Sequence, residues 1–250
     1  MPAPDWVRRL EWRIKNNFTF SLPVFKTPVS PEQIIIDLSS DQKQRFDTLN
    51  EKYDLSSWKD VCSRIEWLDN LYLLDICDHY LGNLQSEISL DIGSKNWGYL
   101  PALTSFTNTP WHGVELDAFR RYWNLSSRKD HAEYMMKICS QCKYFPDSLT
   151  NIHGEYSFIT WFLPFVKPEP LRYWGLPDSF FEPEKLLTHA WQLLMSGGII
   201  LIINQGEEEA GTQKTLFKNA GIEACYLGEI TSIFSTYKQP RFGWLVTKSI

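Results

Sequence analysis

The chain has 250 residues, 43% hydrophobic and 22% charged, with 30 Asp and Glu against 25 Lys and Arg for a net charge of −5. This is the composition of a folded chain rather than a disordered one. It leaves no room for a membrane span: the most apolar runs, IILII (199–203) and FITWFLPFV (158–166), fall short of the ~18 apolar residues a crossing helix needs. Net acidity also argues against general nucleic-acid binding, which rests on phosphate neutralisation by Lys and Arg.

The opening MPAPDWVRRLEWRIKNN carries charges where a signal peptide has an apolar core. Residues 1–85 read as a helical N-terminal extension interrupted by a proline-bearing connector, LPVFKTPVSP (22–31). Ser30-Pro31-Glu32-Gln33 has the form of a capping box with Pro at the first helical position. From Trp58 to Leu81, apolar residues recur at spacings of three and four (Trp58, Val61, Ile65, Leu68, Tyr72, Ile76, Tyr80), which predicts one helix capped by Ser57 and ended by Gly82.

From residue 86 the texture changes to short β-like runs separated by helical stretches: EISLDI (87–92), WHGVEL (111–116), CKYFPD (142–147) and YSFITWF (156–162). A helix over 182–195 ends at Ser196-Gly197-Gly198 and feeds the strand IILII, and a helix over about 208–220 stops at Gly221. IEACYL (222–227) and FGWLVT (242–247) close the chain. Strands alternating with helices mean βαβ units and a parallel sheet covered on both faces, so 86–250 reads as one Rossmann-like domain. Five cysteines at scattered spacings do not form a secreted disulfide framework. The lone Cys139-Ser-Gln-Cys142 has neither a second pair nor an HxxxH beside it, so no metal is expected and the cysteines read as ordinary thiols of a cytoplasmic protein.

Ligands of open parallel sheets bind beyond the carboxyl ends of the strands. The first run ends in Asp91-Ile-Gly93-Ser-Lys95-Asn-Trp97-Gly98. A carboxylate there is a poor neighbour for a diphosphate and suits a ligand carrying an ammonium group. Glu115 follows Gly93 by 22 residues, close to the ~20 expected of an acid that accepts ribose hydroxyls. After the third run, Asp147-Ser148 is placed for an adenine amino group. Three acids after three successive strands indicate a nucleoside without a diphosphate.

On LDIGSKNWG, HGVELD, FPDSL, SFITWFLPF and LLMSGGIILI, residues 86–250 resemble the class I S-adenosylmethionine-dependent methyltransferases. The resemblance implies an α/β, Rossmann-like doubly wound fold. Its seven-stranded sheet is mostly parallel, with an antiparallel last strand inserted between the fifth and sixth. It implies S-adenosylmethionine as cofactor, with Asp91 and Gly93 at its methionine end, Glu115 on the ribose, Asp147 on the adenine amine and Thr160 near the ligand at the exit of the fourth strand. The family's loop reads acid-x-Gly-x-Gly-x-Gly, and here Lys95 and Trp97 hold the last two glycine positions. Two readings of Lys95 follow: a partner for the ligand's carboxylate, or the mark of a loop that no longer closes on cofactor. The expected activity is methyl transfer to a small-molecule acceptor, the other reading being a catalytically silent, methyltransferase-like binding protein. The Asn/Asp-Pro-Pro-aromatic tetrapeptide of amino-group methyltransferases is missing, so exocyclic amines of nucleic acid are disfavoured as acceptors. His153, Tyr156 and Glu207 are general-base candidates by position only, and no catalytic residue stands out. The segment 161–181, with seven aromatics and four prolines, is expected to hang over the pocket mouth, either lining it or packing as a rigid lid on the N-terminal helices.

Overall fold

The computed structural model describes residues 2–249. Helices α1 (Asp5–Asn17), α2 (Pro31–Ile35), α3 (Ser40–Lys52) and α4 (Arg64–Leu81) precede the first strand. Then follow β1 (Ser89–Ile92), α5 (Leu100–Thr107), β2 (Trp111–Val114), α6 (Arg128–Met135), β3 (Lys143–Phe145), β4 (Tyr156–Phe162), α7 (Pro168–Tyr173) and α8 (Pro183–Leu193). The chain closes with β5 (Leu194–Gln205), α9 (Gly206–Ala220), β6 (Cys225–Ile230) and β7 (Arg241–Thr247). The strands form one seven-stranded sheet in the order β3-β2-β1-β4-β5-β7-β6. β1 to β5 run parallel, and β7 pairs antiparallel with both β5 and β6. This is the sheet the resemblance implies.

Alternation along β4 divides the core. Phe158 joins Trp58, Trp67, Leu71, Leu74 and Trp111 on the face covered by the N-terminal helices and α5. Ile159 joins Leu187, Ala190, Ile200 and Phe217 on the face covered by α8 and α9. Successive residues of a strand point to opposite faces, so an apolar run such as YSFITWF serves both layers at once.

The capping box at Ser30 forms as read, with Pro31 opening α2. The helix predicted over 58–81 is divided: Ser56–Asp60 makes a separate 3₁₀ turn, and α4 starts at Arg64 behind a capping box of Ser63 and Glu66. Periodicity misled here because α4 is enclosed rather than one-sided. Residues 70–77 are buried without interruption, whereas Ile65, counted in the stripe, is 71% exposed. β5 also runs straight through Ser196-Gly197-Gly198. Tyr156 pairs with Leu194 but Phe158 with Ile199, so the glycines accommodate a bulge, Gly197 at φ +75°. β6 starts three residues later than IEACYL predicts. Cys139 and Cys142 are joined as a disulfide, not left as thiols, the turn after α6 bringing their Cα atoms to 5.5 Å. Among the described residues, no helix is long and apolar enough to cross a membrane.

Candidate active site

The chain reverses its direction of travel across the sheet between β1 and β4, and the loop after β1 opens into that crevice. Asp91 is 2% exposed, and its Oδ1 accepts from the Thr160 hydroxyl at 2.8 Å. Burial pushes its carboxyl up to about 7, opposed by that hydrogen bond. The register sets the pair, since Asp91 lies beside Thr160 on β4 and Gly113 on β2.

Beyond Asp91 the backbone takes left-handed conformations at alternate residues: Gly93 at φ +71°, Lys95 at +50° and Trp97 at +54°. Lys95 and Trp97 thus adopt a conformation glycine takes freely and other residues reach at a cost of ~1–2 kcal/mol each. The Lys95 N–H donates to Glu115 Oε2 at 2.9 Å, the Lys95 carbonyl accepts from the Tyr144 hydroxyl, and the Trp97 N–H donates to the Ser94 carbonyl at 2.7 Å. The Trp97 indole is fully buried in a space left by Gly113, where a Cβ would come within 2.7 Å of the ring.

Glu115, at the end of β2, is 6% exposed. Its Oε1 accepts from the Asp117 N–H at 2.8 Å and from Arg128 Nη1 at 2.9 Å. A carboxylate offers about four acceptor positions, so with Lys95 N–H on Oε2 one lone pair of Oε2 stays open. Asp117, 2% exposed, receives Lys15 Nζ at 2.8 Å together with Arg120. Asp147 is exposed at the end of β3, its Oδ1 held by the Ser148 N–H and the Asn151 amide.

Two cavities meet at this loop. The larger, about 450 Å³, is bounded by Glu115, Leu116, Asp147, Leu149 and Trp161, and by the segment from Pro164 to Glu182. The smaller, about 330 Å³, lies between α4, the glycine loop and the stretch leading into β7. Gly93, Lys95, Phe162 and Leu163 line both. The Lys95 ammonium stands 4.8 Å from the Trp174 ring, with the Arg128 guanidinium 5.0 Å from the same ring. Burial and the nearby Arg128 charge lower the pKa of Lys95. The segment 161–181 both lines the larger cavity and packs on α1. Arg8 donates to the Leu176 carbonyl at 2.9 Å and to Asp178 at 2.6 Å, and Trp12 meets Phe180 edge-to-face at 4.7 Å.

Asp91, Gly93, Lys95, Glu115 and Asp147 therefore surround the two cavities, whereas Thr160 lines neither and acts on Asp91. Of the candidate bases, Tyr156 lies at the opposite end of β4 and bonds His112, and His153 lines neither cavity. Glu207 borders an open cleft that adjoins the larger cavity at Glu169, Pro170, Gln205 and Glu209 without lining that cavity itself. Arg128, Trp174, Asp69, Tyr99, Tyr237 and Arg241 carry no sequence signal. They reach the site from elements far apart in the chain, and only the folded sheet brings them together. Among the described residues, no group of three His, Cys, Asp or Glu is placed to hold a metal ion.

No protein-family profile and no curated protein sequence matches the chain. Solved structures do. An S-adenosylmethionine-dependent methyltransferase from Aquifex aeolicus superposes with a TM-score of 0.53 at 15% identity, over 80% of this chain and 97% of that one. A methyltransferase from Pyrococcus furiosus gives 0.51 at 16% identity, over 72% and 83% respectively. The fold is thus that of the class I S-adenosylmethionine-dependent methyltransferases.

Proposed function

We propose that this chain binds S-adenosylmethionine in the larger cavity, with its methionine end where the two cavities join, and transfers its methyl group to a small-molecule acceptor. The observation that carries the reading is the left-handed backbone at 93, 95 and 97, tied through the Lys95 N–H to Glu115. The loop keeps the shape of a glycine-rich ligand loop even where two glycines are replaced. A Cβ at Gly93 would meet nothing within 4 Å, and Gly93 lines both cavities, so the loop is open towards them.

In this reading the adenine lies between Leu116 and Leu149 with its amine on Asp147, and the free lone pair of Glu115 takes one ribose hydroxyl. Lys95 pairs with the methionine carboxylate where the cavities join. The cofactor supplies a methyl carbon made electrophilic by a sulfonium. What the chain adds is alignment and exclusion of water, the latter through the segment 161–181 that α1 holds in place. Residues 1–85 then serve as a cap on the 86–250 unit.

The other reading, a silent binding protein, draws on one observation: Arg128 and two N–H groups already occupy three of the Glu115 acceptor positions. Calorimetric titration with S-adenosylmethionine and S-adenosylhomocysteine separates the two. We expect a micromolar dissociation constant, about −8 kcal/mol, weakened about tenfold or more in Glu115→Gln. Absence of heat from folded, ligand-free protein at millimolar ligand would overturn methyl transfer and favour the silent reading.

A further inference from the structure

The smaller cavity has its own chemistry. Its floor is the face of α4 that carries Asp69 and Tyr72, and its walls include the rings of Tyr99, Phe162 and Tyr237. Asp69 is half-buried, and burial raises the pKa of its carboxyl. Its one hydrogen bond to a side chain comes from the Tyr237 hydroxyl at 3.2 Å, and that hydroxyl is in turn bonded to Tyr99. Tyr72 is 5% exposed and its hydroxyl has no hydrogen-bond partner among the described residues.

The other charges lining the cavity are engaged elsewhere. Glu66 is held by Lys26 and Ser63, and Asp91 by Thr160. Arg241 donates to Gln205 at 3.0 Å and lies over the Tyr237 ring, and Lys95 lies by Trp174. Among the described residues no cation forms an ion pair with Asp69, a carboxylate among tyrosine rings on which Lys95 acts only at longer range, and buried charges are ordinarily paired. Rings around an acid favour an organic ammonium by ion pairing and cation–π attraction together.

We propose that this cavity binds a small primary or secondary amine, with Asp69 on its nitrogen and the Tyr72 hydroxyl as a second polar contact, and that this amine is the methyl acceptor. The binding site stands by itself, and the transfer step rests on the methyl-transfer reading above. In that step Asp69 takes a proton from the bound ammonium, and the freed nitrogen lone pair bonds to the methyl carbon of S-adenosylmethionine. The carbon–sulfur bond breaks with its electron pair passing to sulfur, giving S-adenosylhomocysteine. The methylated nitrogen takes on the positive charge that sulfur gives up, and the proton on Asp69 leaves to solvent.

The test titrates the protein with phenethylamine and butylamine, using 2-phenylethanol and phenylacetate as neutral and anionic counterparts, with and without S-adenosylhomocysteine. We expect at least one amine to bind about tenfold or more tightly than either counterpart. Asp69→Asn should abolish that preference without changing S-adenosylhomocysteine affinity, and Tyr237→Phe, which frees Asp69 of its bond, should preserve it and serves if Asp69→Asn does not fold. Equal or tighter binding of phenylacetate or 2-phenylethanol, or no amine binding at millimolar concentration, overturns the proposal. So does loss of S-adenosylhomocysteine binding in Asp69→Asn, which would put Asp69 on the cofactor's own ammonium. Amine binding without any cofactor binding would retain the site and overturn the methyl-transfer reading together with the acceptor role that rests on it.

Discussion

Lys95 occupies a left-handed position at which a glycine would be unstrained, so its backbone is a measurable quantity. Lys95→Gly relieves ~1–2 kcal/mol of steric strain and returns part of it as chain entropy in the unfolded state. The variant should unfold at equal or higher urea concentration than the wild type while binding S-adenosylmethionine more weakly through loss of the ammonium. A clear drop in urea midpoint would show that the side chain, resting on Trp174, contributes more than the backbone costs. Asp91 gives a second prediction. Its native carboxyl holds a proton up to about pH 7, whereas an ordinary aspartate releases it near 3.8, so the folded state binds more protons between those values. Stability from this group is therefore full below about pH 4 and is lost as pH rises through 7. Asp91→Asn is neutral at every pH and can still accept the Thr160 hydrogen bond. It should match the wild type in acid and exceed it at neutral pH by at most about 4 kcal/mol. Urea midpoints at the two pH values decide it, and parallel pH slopes for variant and wild type would count against the assignment.

The glycine loop and β2 work as one unit because Trp97 fills space that Gly113 leaves empty. Gly113→Ala should push the indole aside and cost ~1–3 kcal/mol by overpacking. It should also weaken cofactor binding, since the displaced ring lies two residues from Lys95. Denaturation and calorimetry together check this, and an unaffected protein would mean that the loop yields without consequence. At this scale the sequence was most legible where local chemistry decides, as in the Ser30 capping box, in YSFITWF as β4 and in Gly221 ending α9. It was least legible where tertiary enclosure overrides periodicity. α4 is buried on all sides along its middle, so its apolar pattern names no face, and the bulge at Gly197 looks like a helix end until β4 is laid beside it. The three strand-end acids could be read from order and spacing. Arg128 on Glu115 could not, because that pair depends on how 116–127 loops back over the sheet.

Across the molecule, α1 clamps the segment 161–181 by its polar side. Asp5, Arg8, Trp12 and Lys15 face inward while Trp6, Leu10 and Ile14 are 69%, 51% and 50% exposed. Arg8→Ala combined with Trp12→Ala should loosen this cover. Amide hydrogen exchange over 168–181 should accelerate and S-adenosylhomocysteine should dissociate faster, while protection of β4 and β5 stays the same. Unchanged exchange over 168–181 would mean the segment is held by its own prolines and not by α1. The strand order has a consequence for how the chain is made. β7 is the last strand in sequence yet lies inside the sheet, between β5 and β6. A growing polypeptide that has emerged only as far as β6 presents β5 from Ile199 to Gln205 as an open edge without its partner strand. At ~5–20 residues added per second, that edge waits seconds for its partner. Interrupted synthesis or clipping ahead of Arg241 would therefore release a sticky intermediate rather than a slightly shortened protein.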